Sequence, residues 1–125
     1  MSETPYILIV DDEWMNRELL EAYLKMGGYR VGQANNGEKA LEMVADQPPA
    51  LVMLDVRLPG ISGFEVCRRL KEAATTRVIP VVMVTALDST EDQQQITAAG
   101  ADGFIAKPFE MDALLAKVRS LLAGA

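Results

Sequence analysis

No histidine occurs among the 125 residues of this chain, and Cys67 is its one cysteine. The first absence excludes Ser-His-Asp and Cys-His catalysis, zinc held by imidazole, and a phosphohistidine formed within the chain itself. The second excludes an internal disulfide. Cys67, set in a helical pattern without a partner for metal ligation, reads as a small buried hydrophobe. Long apolar runs are lacking too. The longest are the length of strands, and the N-terminus has no basic segment followed by an apolar stretch, so neither a membrane span nor a secretory leader is expected, and a cytoplasmic location is. Clustered basic charge is also missing: 12 Lys and Arg lie scattered among 18 Asp and Glu, for a net charge of −6. Such a chain repels a polyanion, and direct binding of nucleic acid by it is not expected.

What is present is the composition of a folded chain, half hydrophobic and a quarter charged. Its length suits one compact domain spanning residues 1–125. Apolar runs at about 6–10, 29–34, 51–54, 79–84 and 103–106 predict five strands. Between and after them, helical spacing predicts helices at about 14–26, 36–45, 63–73, 90–99 and 110–122. In the first helix, Leu19, Tyr23 and Met26 recur on one stripe that Leu20 and Leu24 widen, and Gly27 and Gly28 stop it. Asn35 and Asn36 offer caps for the second helix. Ser62 and Glu65 form a capping box for the third, with Ile61 and Val66 as its hydrophobic staple. Ser89 and Asp92 open the fourth, and Leu114, Val118 and Leu121 mark the inward stripe of the fifth. Strict alternation of near-continuous apolar strands with helices predicts an α/β fold, a parallel sheet covered on both faces.

The polar residues that end the strands carry the chemistry. Asp11 and Asp12 follow the first strand, Asp55 the third, Thr85 the fourth and Lys107 the fifth, and functional groups in such sheets gather at the carboxyl ends of strands. Singly, each residue has an ordinary explanation: helix caps, a turn residue, a β-branched strand residue, a solvated lysine before the helix-starting Pro108. Jointly they bring three carboxylates to one edge, where like charges raise one another's pKa unless a cation intervenes. With no imidazole and no usable thiol, the ligands are all oxygen, which suits Mg2+ (or Mn2+ in its place) better than zinc.

The stretches Ile9–Glu13, Leu54–Gly63, Val84–Ala86 and Gly100–Phe109 closely resemble the receiver domain of bacterial two-component response regulators, the CheY-like superfamily. The resemblance covers nearly the whole chain. It implies a flavodoxin-like (βα)5 sandwich with strand order 2-1-3-4-5, and phosphorylation on Asp55 by a histidine kinase or a histidine phosphotransfer protein. It further implies Mg2+ bound directly by Asp12 and Asp55, largely through water by Asp11, and by the backbone carbonyl of Arg57. Thr85 and Lys107 would contact phosphoryl oxygens, and the Lys107-Pro108 peptide is commonly cis. By the same likeness the chain is a regulator rather than an enzyme, able to phosphorylate itself from small donors and to lose the group again, with Arg57 and Leu87 tuning its lifetime.

The resemblance also places a switch in Thr85 and Phe104, the aromatic residue three before the lysine. Phosphorylation would draw the Thr85 hydroxyl inward and let Phe104 move. The fourth helix, fifth strand and fifth helix would form the output face toward a downstream protein, an output domain or a second copy of the chain. Met111 and Leu115 are expected beside that surface, and Trp14 at the mouth of the site. Three competing readings differ in class. A flavoprotein would need phosphate-holding donors where Asp11, Asp12 and Glu13 stand. A phosphatase with an aspartyl nucleophile would use the end of the first strand, yet adjacent Asp11 and Asp12 should point to opposite sides of an extended chain. A docking module indifferent to phosphorylation would not require the full set of acids.

Overall fold

The computed structural model describes residues 4–86 and 90–123, with the side chains of 90–92 left aside. Ten elements alternate without exception: β1 (Tyr6–Val10), α1 (Trp14–Met26), β2 (Arg30–Ala34), α2 (Gly37–Asp46), β3 (Leu51–Asp55), α3 (Gly63–Glu72), β4 (Val81–Thr85), α4 (Thr90–Ala98), β5 (Gly103–Ala106) and α5 (Met111–Ala123). All strand pairs are parallel, and the sheet order is β2-β1-β3-β4-β5. The chain therefore steps outward from β1 to β2 and then returns past β1 to add β3. That reversal opens a crevice at the carboxyl ends of β1 and β3.

Period-two alternation divides the strand side chains between two cores. Leu8, Val10, Val52, Leu54, Val81 and Met83 pack with Val44, Val66 and Cys67 of α2 and α3 and with Ile96 of α4. Ile7, Ile9, Leu51, Met53, Val82 and Val84 face Leu20 and Leu24 of α1 and Leu114 and Val118 of α5. Because both faces are covered, the three inner strands read as unbroken apolar runs, and β3 and β4 are buried along their full length. The outer strands betray their position. β2 carries Arg30, Gly32 and Gln33 and is only partly buried, and β5 is four residues long with alternate exposure.

The caps are chemical rather than statistical. Asn36 accepts the Lys39 N–H at 2.7 Å to start α2, and Ser62 Oγ accepts the Glu65 N–H at 3.1 Å to start α3. Glu65 does not return the bond but pairs with Arg68 and Arg69. Those two ion pairs hold its carboxyl below the usual range, Arg69 contributing first.

Three expectations change. Leu20 and Leu24 alone form the buried stripe of α1, whereas Leu19 is 42% and Met26 72% exposed. Leu115 is buried with the α5 stripe, which removes it from any docking surface. β4 starts at Val81, since Pro80 has no N–H to donate, although its carbonyl still accepts Val52 N–H at 3.0 Å. Ser89 and the Asp92 side chain, expected to open α4, lie outside the described residues. Among the described residues no helix is long and apolar enough to cross a membrane.

Cys67 behaves as a core residue. Its thiol is inaccessible, donates to the Ala99 carbonyl at 3.4 Å and is pushed up by burial to about 11. The thiolate is the reactive form. Native protein should therefore resist iodoacetamide at pH 8 and react only when unfolded, as read by mass spectrometry; stoichiometric alkylation of the native chain would contradict this packing.

Candidate functional site

The crevice at the strand ends is a cleft of about 440 Å³ lined by Asp12, Glu13, Asn16, Asp55, Arg57, Thr85, Ala86 and Lys107. Each strand places its residue by where it stops. β3 runs one residue longer than its apolar stretch, so the Asp55 carboxylate stays nearly buried at the sheet edge. Its Oδ1 accepts the Arg57 N–H at 3.0 Å, which curls the loop after β3 around the carboxylate. β4 ends on Thr85, 1% exposed, and its carbonyl accepts the Lys107 N–H at 2.7 Å. That bond sets the lysine beside β3. Lys107 Nζ donates to Asp55 Oδ2 at 2.8 Å and lies 3.5 Å from Asp11 Oδ2. The Lys107-Pro108 peptide is cis.

β1 ends at Val10, so Asp11 and Asp12 stand in the loop beyond it rather than on an extended strand. Asp11 Oδ1 accepts the Glu13 N–H at 2.9 Å, and this hook turns the chain. The expectation that adjacent aspartates point to opposite sides therefore fails. Asp11, Asp12 and Asp55 each bring a carboxylate oxygen within 4.8 Å of the others.

Electrostatics in this cluster is unbalanced. Asp11 is 1% exposed, and its Oδ2 has no hydrogen bond among the described residues. Burial pushes its carboxyl above the usual range, the Glu13 N–H pulls it back, and the Asp55 charge adds to the rise while Lys107 opposes it. Burial alone would lower the Lys107 ammonium. The Asp55 hydrogen bond and the charges of Asp55 and Asp11 outweigh it and hold the lysine above its ordinary value. Three carboxylates against one ammonium leave two negative charges, the deficit one divalent cation neutralises. An all-oxygen donor set with a buried carboxylate oxygen lacking a hydrogen bond fits a hard ion such as Mg2+.

Other expected residues lie farther out. Phe104 in β5 is 37% exposed and borders a second groove with Pro108, Phe109 and Lys117, away from the acids. Trp14 begins α1 at 64% exposure and stands outside the cleft lining, to which its neighbours Glu13 and Asn16 belong. Leu87 lies outside the described residues. Two residues that the sequence pattern does not single out also shape the site: Arg17, whose guanidinium donates to the Asp11 carbonyl at 2.9 Å, and Gly63, which packs on the Asp55 backbone. The signal for Arg17 was a cation one helical turn beyond an acidic loop. None distinguished Gly63 from other glycines.

A family model described as "Response regulator receiver domain" matches residues 7–119. The response regulator PleD of Caulobacter vibrioides is 49% identical over 92% of this chain and 25% of its own length. A crystal structure of the signal receiver domain of a signal transduction histidine kinase from Syntrophus aciditrophicus superposes with a TM-score of 0.92 at 34% identity, covering 98% of this chain and 92% of that one. The receiver domain of the sensor histidine kinase PA1611 from Pseudomonas aeruginosa, solved with a magnesium ion coordinated in its active site cleft, gives 0.90 at 27% identity, with 97% and 99% covered. The chain spans a quarter to about half of the length of the curated relatives it matches.

Proposed function

Because the chain belongs to the receiver domain family of two-component response regulators, we propose that it accepts a phosphoryl group on Asp55 and signals by the resulting change of surface. The observation that carries this reading is the buried Asp55 carboxylate opening onto a cleft, its Oδ2 held 2.8 Å from the Lys107 ammonium with two further carboxylates in reach. The donor is the phosphohistidine of a histidine kinase or a phosphotransfer protein, since the chain has no histidine of its own. A carboxylate oxygen of Asp55 forms the new P–O bond, the P–N bond to the donor imidazole breaks, and that nitrogen takes up a proton. Lys107 and the Thr85 hydroxyl at the cleft wall meet the phosphoryl oxygens and offset their charge.

Asp12, Asp55 and the Arg57 carbonyl would hold Mg2+ directly, and Asp11 largely through water. When bound, the ion supplies charge neutralisation among the phosphoryl and carboxylate oxygens. Arg57, exposed at the rim of the cleft, meets incoming anions. Next to the cleft, the start of α1 leaves Trp14, Met15 and Leu19 as exposed apolar side chains, a surface on which a helix of the donor protein can rest.

Output leaves by the other side. Drawing the Thr85 hydroxyl toward the phosphoryl group frees space for Phe104, whose partial exposure on β5 shapes the α4-β5-α5 face for a downstream protein, an output domain or a second copy.

The test is chemical. Intact chain incubated with acetyl phosphate and Mg2+ should gain one phosphoryl group, labile to hydroxylamine, and borohydride reduction should place it on the peptide containing Asp55. A label on Asp11 would instead favour an aspartyl phosphatase. Absence of any label, with Mg2+ binding intact by calorimetry, would favour a docking module indifferent to phosphorylation.

A further inference from the structure

We propose that Arg17 is a positioning residue for the acidic loop, holding the Asp11–Asp12 peptide in the orientation from which both carboxylates reach the cation; the inference rests on the reading of the cleft given above. The guanidinium is fixed from two directions. Its Nη1 donates to the Asp11 carbonyl at 2.9 Å, and its Nε donates to Gln33 Oε1 at 2.9 Å. Gln33 sits in β2 directly across from Ile9 of β1, and its amide in turn donates to Glu21 at 2.9 Å and to Glu18 at 3.4 Å. A continuous path thus runs from two carboxylates on α1, through a strand amide, to one carbonyl in the site.

That carbonyl belongs to the peptide joining Asp11 to Asp12. Its plane decides where both side chains set out. The peptide on the other side of Asp11 is anchored independently, by Asp11 N–H donating to the Ala34 carbonyl at 3.1 Å, and the Glu13 carbonyl accepts the Arg17 N–H at 3.1 Å. The loop is therefore pinned at both ends, and the Arg17 side chain fixes the peptide between. It touches a carbonyl rather than a carboxylate, so what it supplies is geometry, and positive charge alone does not replace it. Arginine suits the task because its rigid planar fork donates from separate nitrogens in fixed directions, whereas the donors of a lysine ammonium share one freely rotating nitrogen.

Calorimetric titration of Mg2+ into the intact chain tests this without a phosphodonor. Arg17→Met should weaken Mg2+ binding about tenfold, the usual effect of removing a partner that orients a metal ligand. Arg17→Lys, which keeps the charge, should recover only part of that loss. Gln33→Leu leaves every loop contact in place and removes the brace, so it should weaken binding in the same direction but less. The double variant should be no worse than Arg17→Met, because the two act in series. Far-UV circular dichroism checks that each variant is folded, and if Arg17→Met is not, Arg17→Lys and Gln33→Leu decide.

A purely structural arginine would lower the melting temperature and leave Mg2+ affinity within twofold of wild type in all folded variants. That result overturns the proposal. Losses that simply add in the double variant, or full rescue by lysine, overturn it as well. Failure of wild type itself to bind Mg2+ would instead overturn the reading of the cleft.

Discussion

Gly63→Ala should destabilise the chain by about 2–3 kcal/mol and sharply reduce acyl-phosphate labelling, although the residue bears no functional group. Gly63 is the first residue of α3, directly after its cap Ser62, and its N–H donates to the Val56 carbonyl at 2.9 Å. This bond seats the start of the helix against the end of β3. A Cβ at position 63 would overlap the Asp55 carbonyl oxygen and come within 2.8 Å of Val56 Cα and 2.9 Å of the Asp55 carbonyl carbon. All three are backbone atoms, and none can rotate aside. Either the helix backs away and loses the bond to Val56, or the loop carrying Asp55 and Arg57 shifts and the cleft loses its shape.

Gly60→Ala is the matched control. Gly60 has φ +77, and the atoms nearest a Cβ there are those of the Glu38 carboxylate, the free end of a flexible side chain. Its cost is the left-handed backbone alone, about 1 kcal/mol, with labelling near wild type. Urea denaturation gives both energies. Equal stability of Gly63→Ala and wild type would show that the close approach at the end of β3 is not a constraint.

The contrast between these glycines indicates what a sequence of this kind discloses. Strands were legible because burial on both faces turns each inner strand into an apolar run, and the polar residue that ends the run marks the sheet edge: Asp55 after Leu54, Thr85 after Val84. Spacing could not choose the buried face of α1. Leu19, Leu20, Tyr23, Leu24 and Met26 offer two overlapping stripes, and only the fit against Ile7, Ile9 and the α5 side chains selects Leu20 and Leu24. The conformation of the acidic loop was hidden for a similar reason. Whether Asp11 and Asp12 diverge depends on where β1 stops and on the Asp11–Glu13 hook, one residue's difference that no periodicity records. Side-chain and backbone contacts between one element and the next, such as Arg17 with Gln33 or Gly63 with Asp55, leave no mark on the periodicity of either element. Strand order stands between these cases. It followed from resemblance, yet the polar β2 and the short β5 carry the composition of edges.

Asp11→Asn should stabilise the chain when divalent cations are chelated and leave it the less stable form when Mg2+ is abundant. Asp11 is buried, with one oxygen satisfied by the Glu13 N–H and the other lacking a hydrogen bond beside the Asp55 charge. Burial and that neighbouring charge raise its pKa in the folded state above the ordinary 3.8. A raised carboxyl favours folding in its protonated form. Its contribution is full in acid, below the ordinary value, and is lost as pH rises through the raised one. At neutral pH the fold therefore bears the cost of the buried charge. Asparagine keeps the acceptor for the Glu13 N–H and removes that charge, which should recover about 1–3 kcal/mol. For a domain of this size, each kcal/mol corresponds to roughly 4 °C in melting temperature.

The gain should shrink as pH falls toward the ordinary carboxylate range, because the raised carboxyl takes up its proton more readily in the folded chain than in the unfolded one. Added Mg2+ reverses the order. Wild type gains stability by mass action as RT ln(1 + [Mg2+]/Kd), whereas the variant, with a weakened site, gains little. Melting curves for both proteins in chelator and in excess Mg2+, at neutral pH and near pH 4, give the full comparison. A variant less stable than wild type in chelator at neutral pH would mean that Lys107, 3.5 Å from Asp11 Oδ2, already compensates the buried charge. The cluster would then be in balance without a divalent ion, and the fold would no longer be storing, in its unbound form, the free energy that Mg2+ binding releases.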